Sequence, residues 1–223
     1  HKHHFLISLE PVCFPLLHLS FNQPVSQSAN LLNILTSKQA SNHLTVAMEL
    51  HQIIPDVIDV PPRYVAQVKY AGEFEMNLGD ELTPEIVKEA PIKVHWPIGD
   101  DPDGTLYTIL FTDPDAPSRA APLGREILHW LVVNVPGNDL ARGDEITQYR
   151  GSGPPEGTGL HRYVLTVFRQ TEYLPVAELR AKYAENRIRF STRNFVREYK
   201  LATTPISGNF FQAQTDDHVR RQH

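Results

Sequence analysis

The sequence predicts a mainly β domain, a β-sandwich of antiparallel or mixed sheets with peripheral helices. Three observations carry that reading. Five short segments are rich in β-branched and aromatic residues, Gly, Pro, Asn and Asp bound each of them, and helical spacing clusters late in the chain. Strands joined by turns rather than by long helical crossovers pair as antiparallel or mixed neighbours.

Tyr64–Tyr70 and Ile92–His95 open the strand series. A short helix is expected between them over Pro84–Glu89, because Thr83 offers an N-cap hydroxyl, Pro84 fits the first helical position and Glu85 places an acid in the first turn. Pro91 ends it. Leu106–Phe111, Ile127–Val135 and Arg162–Gln170 follow as strands. Val176–Asn186 and Thr192–Tyr199, the latter behind a Ser191 cap, have helical spacing and mixed charge.

A length of 223 residues with 41% hydrophobic content provides for one core. A single domain is expected over 48–223. Residues 1–47 carry only Lys2, Glu10 and Lys38 as charges and lack durable periodicity, so they are expected to be disordered or a non-native extension that adds little to the core. The chain starts at His1, whereas Met48 opens the patterned part. Phe5–Phe21 is apolar, but Glu10, Pro11 and Pro15 interrupt it and no small-residue cleavage site follows. A cytoplasmic location is therefore expected, with secretion the alternative. His1, His3 and His4 read as a solvated tail or tag remnant able to pick up metal.

Cys13 is the single cysteine, which excludes an intramolecular disulfide. A net charge of −5 argues against nucleic acid or a broadly acidic membrane as partner, so any phosphate site must be local. No apolar run reaches the roughly 18–20 residues of a membrane span.

Two stretches carry the functional reading: Asp113-Pro114-Asp115-Ala116-Pro117-Ser118-Arg119 and Gly151-Ser152-Gly153-Pro154-Pro155-Glu156-Gly157-Thr158-Gly159-Leu160-His161-Arg162-Tyr163. Glycine lets backbone N–H groups turn toward a ligand, and proline fixes the loop that carries them. An anion is the natural occupant. Strand alternation puts His161 and Tyr163 on one face and Arg162 and Val164 on the other, so a change at Arg162 is expected to spare the site. It also puts His129 with Leu131 and Val133, away from Trp130, where a buried imidazole needs a partner. Asp113 stands where a strand runs out into a loop. Taken alone, each histidine also fits a satisfied core role, Asp113 an Asx turn, and Arg119 and Arg125 surface pairing with Asp115 or Glu126.

With Arg125-Glu126-x-x-His129-x-Leu131-Val132-Val133-Asn134 between them, the two stretches resemble the phosphatidylethanolamine-binding protein family, which includes the Raf kinase inhibitor proteins and the plant flowering regulators. The resemblance runs from about Met48 to about Val219. It implies a β-sandwich with a pocket at one end, where Asp113, His129, Gly153, Pro155, His161 and Tyr163 surround a phosphate or phosphorylethanolamine head group. Ile127 and Phe211 are candidate further walls. Ile127 replaces an aromatic found in many members, and Phe210-Phe211 stands where mammalian relatives have a tyrosine, so head-group contacts are expected to differ. The chain also stops short of a final helix that covers the pocket in those relatives, which implies a more open mouth. The family often carries a cis peptide here, and Ala116–Pro117 is where one is affordable.

Beside the Asp113 carboxylate a phosphate needs donors, which His129, His161, the Tyr163 hydroxyl and glycine N–H groups must supply. Asp113 is left to orient an imidazole or meet an ammonium. Histidine protonation then tunes affinity near physiological pH. The implied function is binding and regulatory rather than enzymatic, with the pocket rim inhibiting a protein kinase in Raf-like signalling and touching membranes peripherally. Alternatives are a serine-protease inhibitor and a metal-dependent hydrolase using Asp113, His129 and His161. No cofactor, resident metal or catalytic residue is expected.

Overall fold

A mixed six-stranded sheet runs through the computed structural model, which describes residues 25–99 and 101–216. Its strands are β1 (Tyr64–Val65), β4 (Leu106–Asp113), β5 (Ile127–Pro136), β6 (Asp144–Thr147), β7 (His161–Arg169) and β8 (Ser207–Ala213), in the order β1-β8-β7-β4-β5-β6. Only β1 and β8 pair in parallel. A second, antiparallel sheet joins β2 (Gln67–Lys69) and β3 (Lys93–His95). Helices α1 (Val25–Leu50), α2 (Ile53–Asp56), α3 (Val176–Tyr183) and α4 (Thr192–Glu198) complete the fold.

The large sheet is covered on both faces. One core gathers Val68, Trp96, Ile109, Phe111, Tyr163 and Phe211 between the two sheets. The other gathers Leu44, Leu110, Leu131, Val164, Leu179 and Phe195 on the helical side. Alternation is visible in both lists, since consecutive residues of β4 and β7 enter opposite cores. Burial on two faces also explains why β4 reads as a nearly continuous apolar run rather than an amphipathic one.

Three elements depart from the sequence reading. Tyr64–Tyr70 divides at Ala66 into β1 and β2, which belong to different sheets. Pro84–Glu89 forms a turn instead of a helix, with the Ile86 and Val87 N–H groups both donating to the Thr83 carbonyl. A six-residue segment closed by Pro91 has room for very few i→i−4 bonds to offset the cost of nucleation. The Val87 carbonyl accepts from the Tyr149 hydroxyl instead, at 2.9 Å.

The third departure is at the N-terminal boundary. α1 runs through Met48, and Leu44 and Met48, four residues apart on one helix face, are both fully buried in the helical-side core. The compact unit begins at Ser37, so the expectation that everything before Met48 adds little to the core fails at Leu44. The readings made on His1, His3, His4, Cys13 and Phe5–Phe21, and on the extreme C-terminus from Asp217, fall outside the described residues. Among the described residues no helix is long and apolar enough to cross a membrane.

Candidate functional site

β4 and β7 are antiparallel neighbours, and Thr112 pairs with Val164. The end of one strand therefore lies beside the start of the other, which brings Asp113 to His161. The His161 Nδ1 lies 2.9 Å from Asp113 Oδ2, with both side chains almost wholly buried. The other carboxylate oxygen accepts the Asp115 N–H at 2.7 Å. Asp113 thus makes the Asx-type turn and faces the imidazole at once.

Asp115 is tied to the next residue of β7. It accepts the Arg162 backbone N–H at 2.8 Å, Nε at 2.9 Å and Nη2 at 2.6 Å. The remaining guanidinium donors reach the His51 and Gln52 carbonyls and Asp56. The surface pairing expected of Arg119 and Arg125 takes another form. Arg125 pairs with Asp56 at 2.7 Å, and Arg119 donates to the His51 carbonyl and Gln52 Oε1. Glu126 is buried and accepts from the Thr192 N–H and hydroxyl.

His129 reaches the site by a route that simple alternation misses. The β4–β5 register slips between Phe111 and Thr112: Phe111 pairs with Trp130, and Thr112 with Leu128. His129 is the extra residue of a β-bulge. Leu128 and Leu131 enter the helical-side core while Trp130 enters the inter-sheet core. His129 packs edge-on to Tyr163 and Phe111, at ring-centre distances of 5.2 and 5.7 Å. It does not share the face of Leu131 and Val133.

A cavity of about 860 Å³ opens at this end of the sheet, lined by Asp113, His129, Gly153, Pro155, His161 and Tyr163 together. Ile127 also lines it. Phe211 does not; it is fully buried and stacks on Tyr163 at 5.0 Å, so it backs the phenol rather than walling the cavity. Sequence reasoning passed over Ser152, Tyr149, Lys88, Arg150 and Arg187, which line it too. Ser152 stood inside the quoted glycine loop and could have been picked out. Arg187 belongs to an irregular segment far along the chain and had no local signal. Among the loop glycines, Gly151 is the sterically constrained one, since a Cβ there would lie 2.5 Å from the Val87 carbonyl oxygen, whereas Gly153 has open space. Ala116–Pro117 and Arg125–Glu126 are cis.

Burial, reinforced by Asp113, pushes the Tyr163 phenol well above its ordinary pKa, so it stays a protonated donor. Burial pulls the His129 pKa down, against the pull of Asp113, and Arg187 and Arg150 lower it further. Neutral His129 donates from Nδ1 to the Arg150 carbonyl at 2.8 Å, which leaves Nε2 as a lone-pair acceptor. The Thr158 hydroxyl donates to the Pro155 carbonyl at 2.8 Å and lies 3.0 Å from His161 Nε2. One hydroxyl has one proton. With it on Pro155, His161 Nε2 is left to act as the donor toward Thr158. The Ser152 hydroxyl is buried without a partner among the described residues. Both nitrogens of His161 are engaged, and among the described residues no group of three His, Cys, Asp or Glu side chains is arranged to hold a metal ion.

Comparison with known proteins gives a consistent picture. The sequence profile described as phosphatidylethanolamine-binding protein matches residues 67–211. A Drosophila melanogaster protein named "Putative odorant-binding protein A5" is 33% identical over 207 residues, covering 92% of this chain and 93% of that protein. The solution structure titled CG7054 is 41% identical with a TM-score of 0.60, covering 76% of this chain and 95% of that one. A carboxypeptidase Y inhibitor, solved in complex with its cognate proteinase, shares the fold at a TM-score of 0.66 and 22% identity, covering 79% of this chain and 97% of its own.

Proposed function

The chain belongs to the phosphatidylethanolamine-binding protein family, and we propose that its end cavity is a non-catalytic receptor for a phosphate-type anion. One observation carries this reading: the buried Ser152 hydroxyl, unpartnered among the described residues, lines the same cavity as the protonated Tyr163 phenol and the two imidazoles. Buried hydroxyls are rarely left unbonded, and an anion with several acceptor oxygens would satisfy the Ser152 hydroxyl and take further donors from the same lining. Asp113 orients and counterbalances His161 rather than meeting the anion. His129 completes the donor set once protonated, so binding is coupled to proton uptake. Among the described residues no hydroxyl is activated by the imidazoles: Ser152 bonds to neither, and Thr158 directs its proton to Pro155. A protein partner, a kinase by the family resemblance, would be engaged at the rim and would sense whether the cavity is filled.

Calorimetric titration with inorganic phosphate tests the reading. Weak saturable binding is expected, micromolar or poorer for so few heavy atoms. Ser152→Ala and His161→Ala should each weaken it. A wild-type protein that gives no saturable heat or chemical-shift change with phosphate refutes the proposal.

A further inference from the structure

Two arginines at the mouth of the cavity are left unused by a simple phosphate. Arg150 is exposed, yet its backbone is fastened twice to His129: its N–H donates to the His129 carbonyl at 2.9 Å, and its carbonyl accepts from Nδ1 at 2.8 Å. Arg187 is held by the Leu128, His129 and Gln148 carbonyls at 3.2, 3.2 and 2.9 Å. Among the described residues neither guanidinium forms an ion pair with a carboxylate. Asp113 is the only carboxylate in the described lining, and it faces His161.

These charges constrain what can extend from a bound phosphate toward the mouth. An ammonium group there would meet like charge. A carboxylate or second phosphate would meet a planar guanidinium fork able to bind it through two parallel hydrogen bonds. Arg187 is immobilised by its carbonyls, whereas the Arg150 side chain is free to swing onto such a group.

We propose that the cavity selects phosphoesters bearing a second anionic group, of the phosphoserine type, over phosphorylethanolamine, and that Arg150 is the selecting residue. The inference rests on the phosphate-receptor reading above. Phosphoserine and phosphorylethanolamine differ by one carboxylate, so they form a matched pair.

The experiment titrates wild type and Arg150→Gln with inorganic phosphate, O-phosphoserine and O-phosphorylethanolamine, and repeats the comparison with phosphatidylcholine vesicles containing phosphatidylserine or phosphatidylethanolamine. Wild type is expected to bind O-phosphoserine roughly three- to tenfold tighter than O-phosphorylethanolamine, the scale of one added charge-assisted contact at a solvated rim. Arg150→Gln should bring phosphoserine down to the phosphorylethanolamine level, with a smaller loss for inorganic phosphate. The same preference on vesicles assigns the site to a lipid head group, and preference confined to soluble esters assigns it to a soluble ligand; both support the inference. Equal or tighter binding of phosphorylethanolamine by wild type, or a preference that survives Arg150→Gln, overturns the selectivity while leaving the phosphate receptor standing. Failure of all three soluble ligands to bind overturns both.

Discussion

Arg162→Met is the substitution on which the architecture of the site depends most. Arg162 is 2% exposed and Asp115 is 1% exposed, and the guanidinium reaches Asp115 twice, Asp56 and two carbonyls. Methionine preserves much of the packing volume but strands the Asp115 carboxylate, whose side-chain partner is gone and whose remaining donor is the residue 162 backbone N–H. Breaking one half of a buried pair costs about 3–5 kcal/mol, because an uncompensated charge stays behind. Asp56 is partly exposed and can rehydrate, so the cost is set by Asp115.

Such a loss is a large share of a margin of roughly 5–15 kcal/mol, and for a chain of this size it lowers Tm by about 6–20 °C. Urea unfolding followed by tryptophan fluorescence measures it. Adding Asp115→Asn in the Arg162→Met background should restore part of the stability, since a neutral amide no longer needs a counter-ion. A single-variant cost below about 1 kcal/mol, or a double variant in which the two losses simply add, would refute the buried-charge explanation. Phosphate binding should fall as well, since Asp115 is bonded to Asp113 through its N–H. Strand alternation led to the expectation that a change at Arg162 spares the site; its connection through Asp115 makes the opposite outcome the expected one.

Further outcomes are expected elsewhere. Leu44→Ala should cost about 2–4 kcal/mol while the exposed Lys38→Ala stays within about 0.5, and equal denaturation midpoints would show that α1 adds nothing to the core. Gly151→Ala should destabilise through the clash with the Val87 carbonyl, whereas Gly153→Ala should melt like wild type; the reverse order would place the tight contact wrongly. The His129 pKa is lowered in the folded state, so the unfolded chain binds the extra proton first: its stability contribution is complete above about pH 6.5 and is lost as pH falls toward the folded pKa. His129→Gln should flatten that acid limb in a pH series of melts, and an unchanged slope would contradict burial of a neutral imidazole. Phosphate binding near pH 7 should take up protons, detectable as a dependence of calorimetric heat on the buffer's ionisation enthalpy, and this uptake should shrink in His129→Gln.

Much of the site was legible because its chemistry is compressed into two short stretches. Asp113, His161 and Tyr163 could be placed from where strands end and how they alternate. His129 was identified from the resemblance, but its face was assigned wrongly, because a one-residue bulge reverses every alternation argument downstream of it. Arg150 and Arg187 were illegible for a different reason: their position depends on backbone bonds to β5 made by segments with no periodic signal of their own. β8 was missed because Ser207–Ala213 holds no β-branched residue and no alternation, its buried Ser207 and Asn209 being satisfied by the Tyr64, Ala66 and Met76 carbonyls. α1 was missed because the Ser, Asn and Gln around it hide a core contribution resting on Leu44 and Met48.

The two aspartates of the Asp-Pro-Asp loop and the first two residues of β7 form a ladder: Asp113 faces His161, and Asp115 faces Arg162. Alternation sends the two rungs to opposite sides of the sheet. On the helical side the counter-ion is an arginine, charged at every accessible pH, and the rung is a fixed latch. On the cavity side it is the His161 imidazole, whose Nδ1 lies 2.9 Å from Asp113. The loop's backbone position is thus held by Arg162 whatever the pH, and coupling of ligand binding to a proton is left to His129 across the cavity. A histidine in place of Arg162 would make the loop's anchor depend on pH as well.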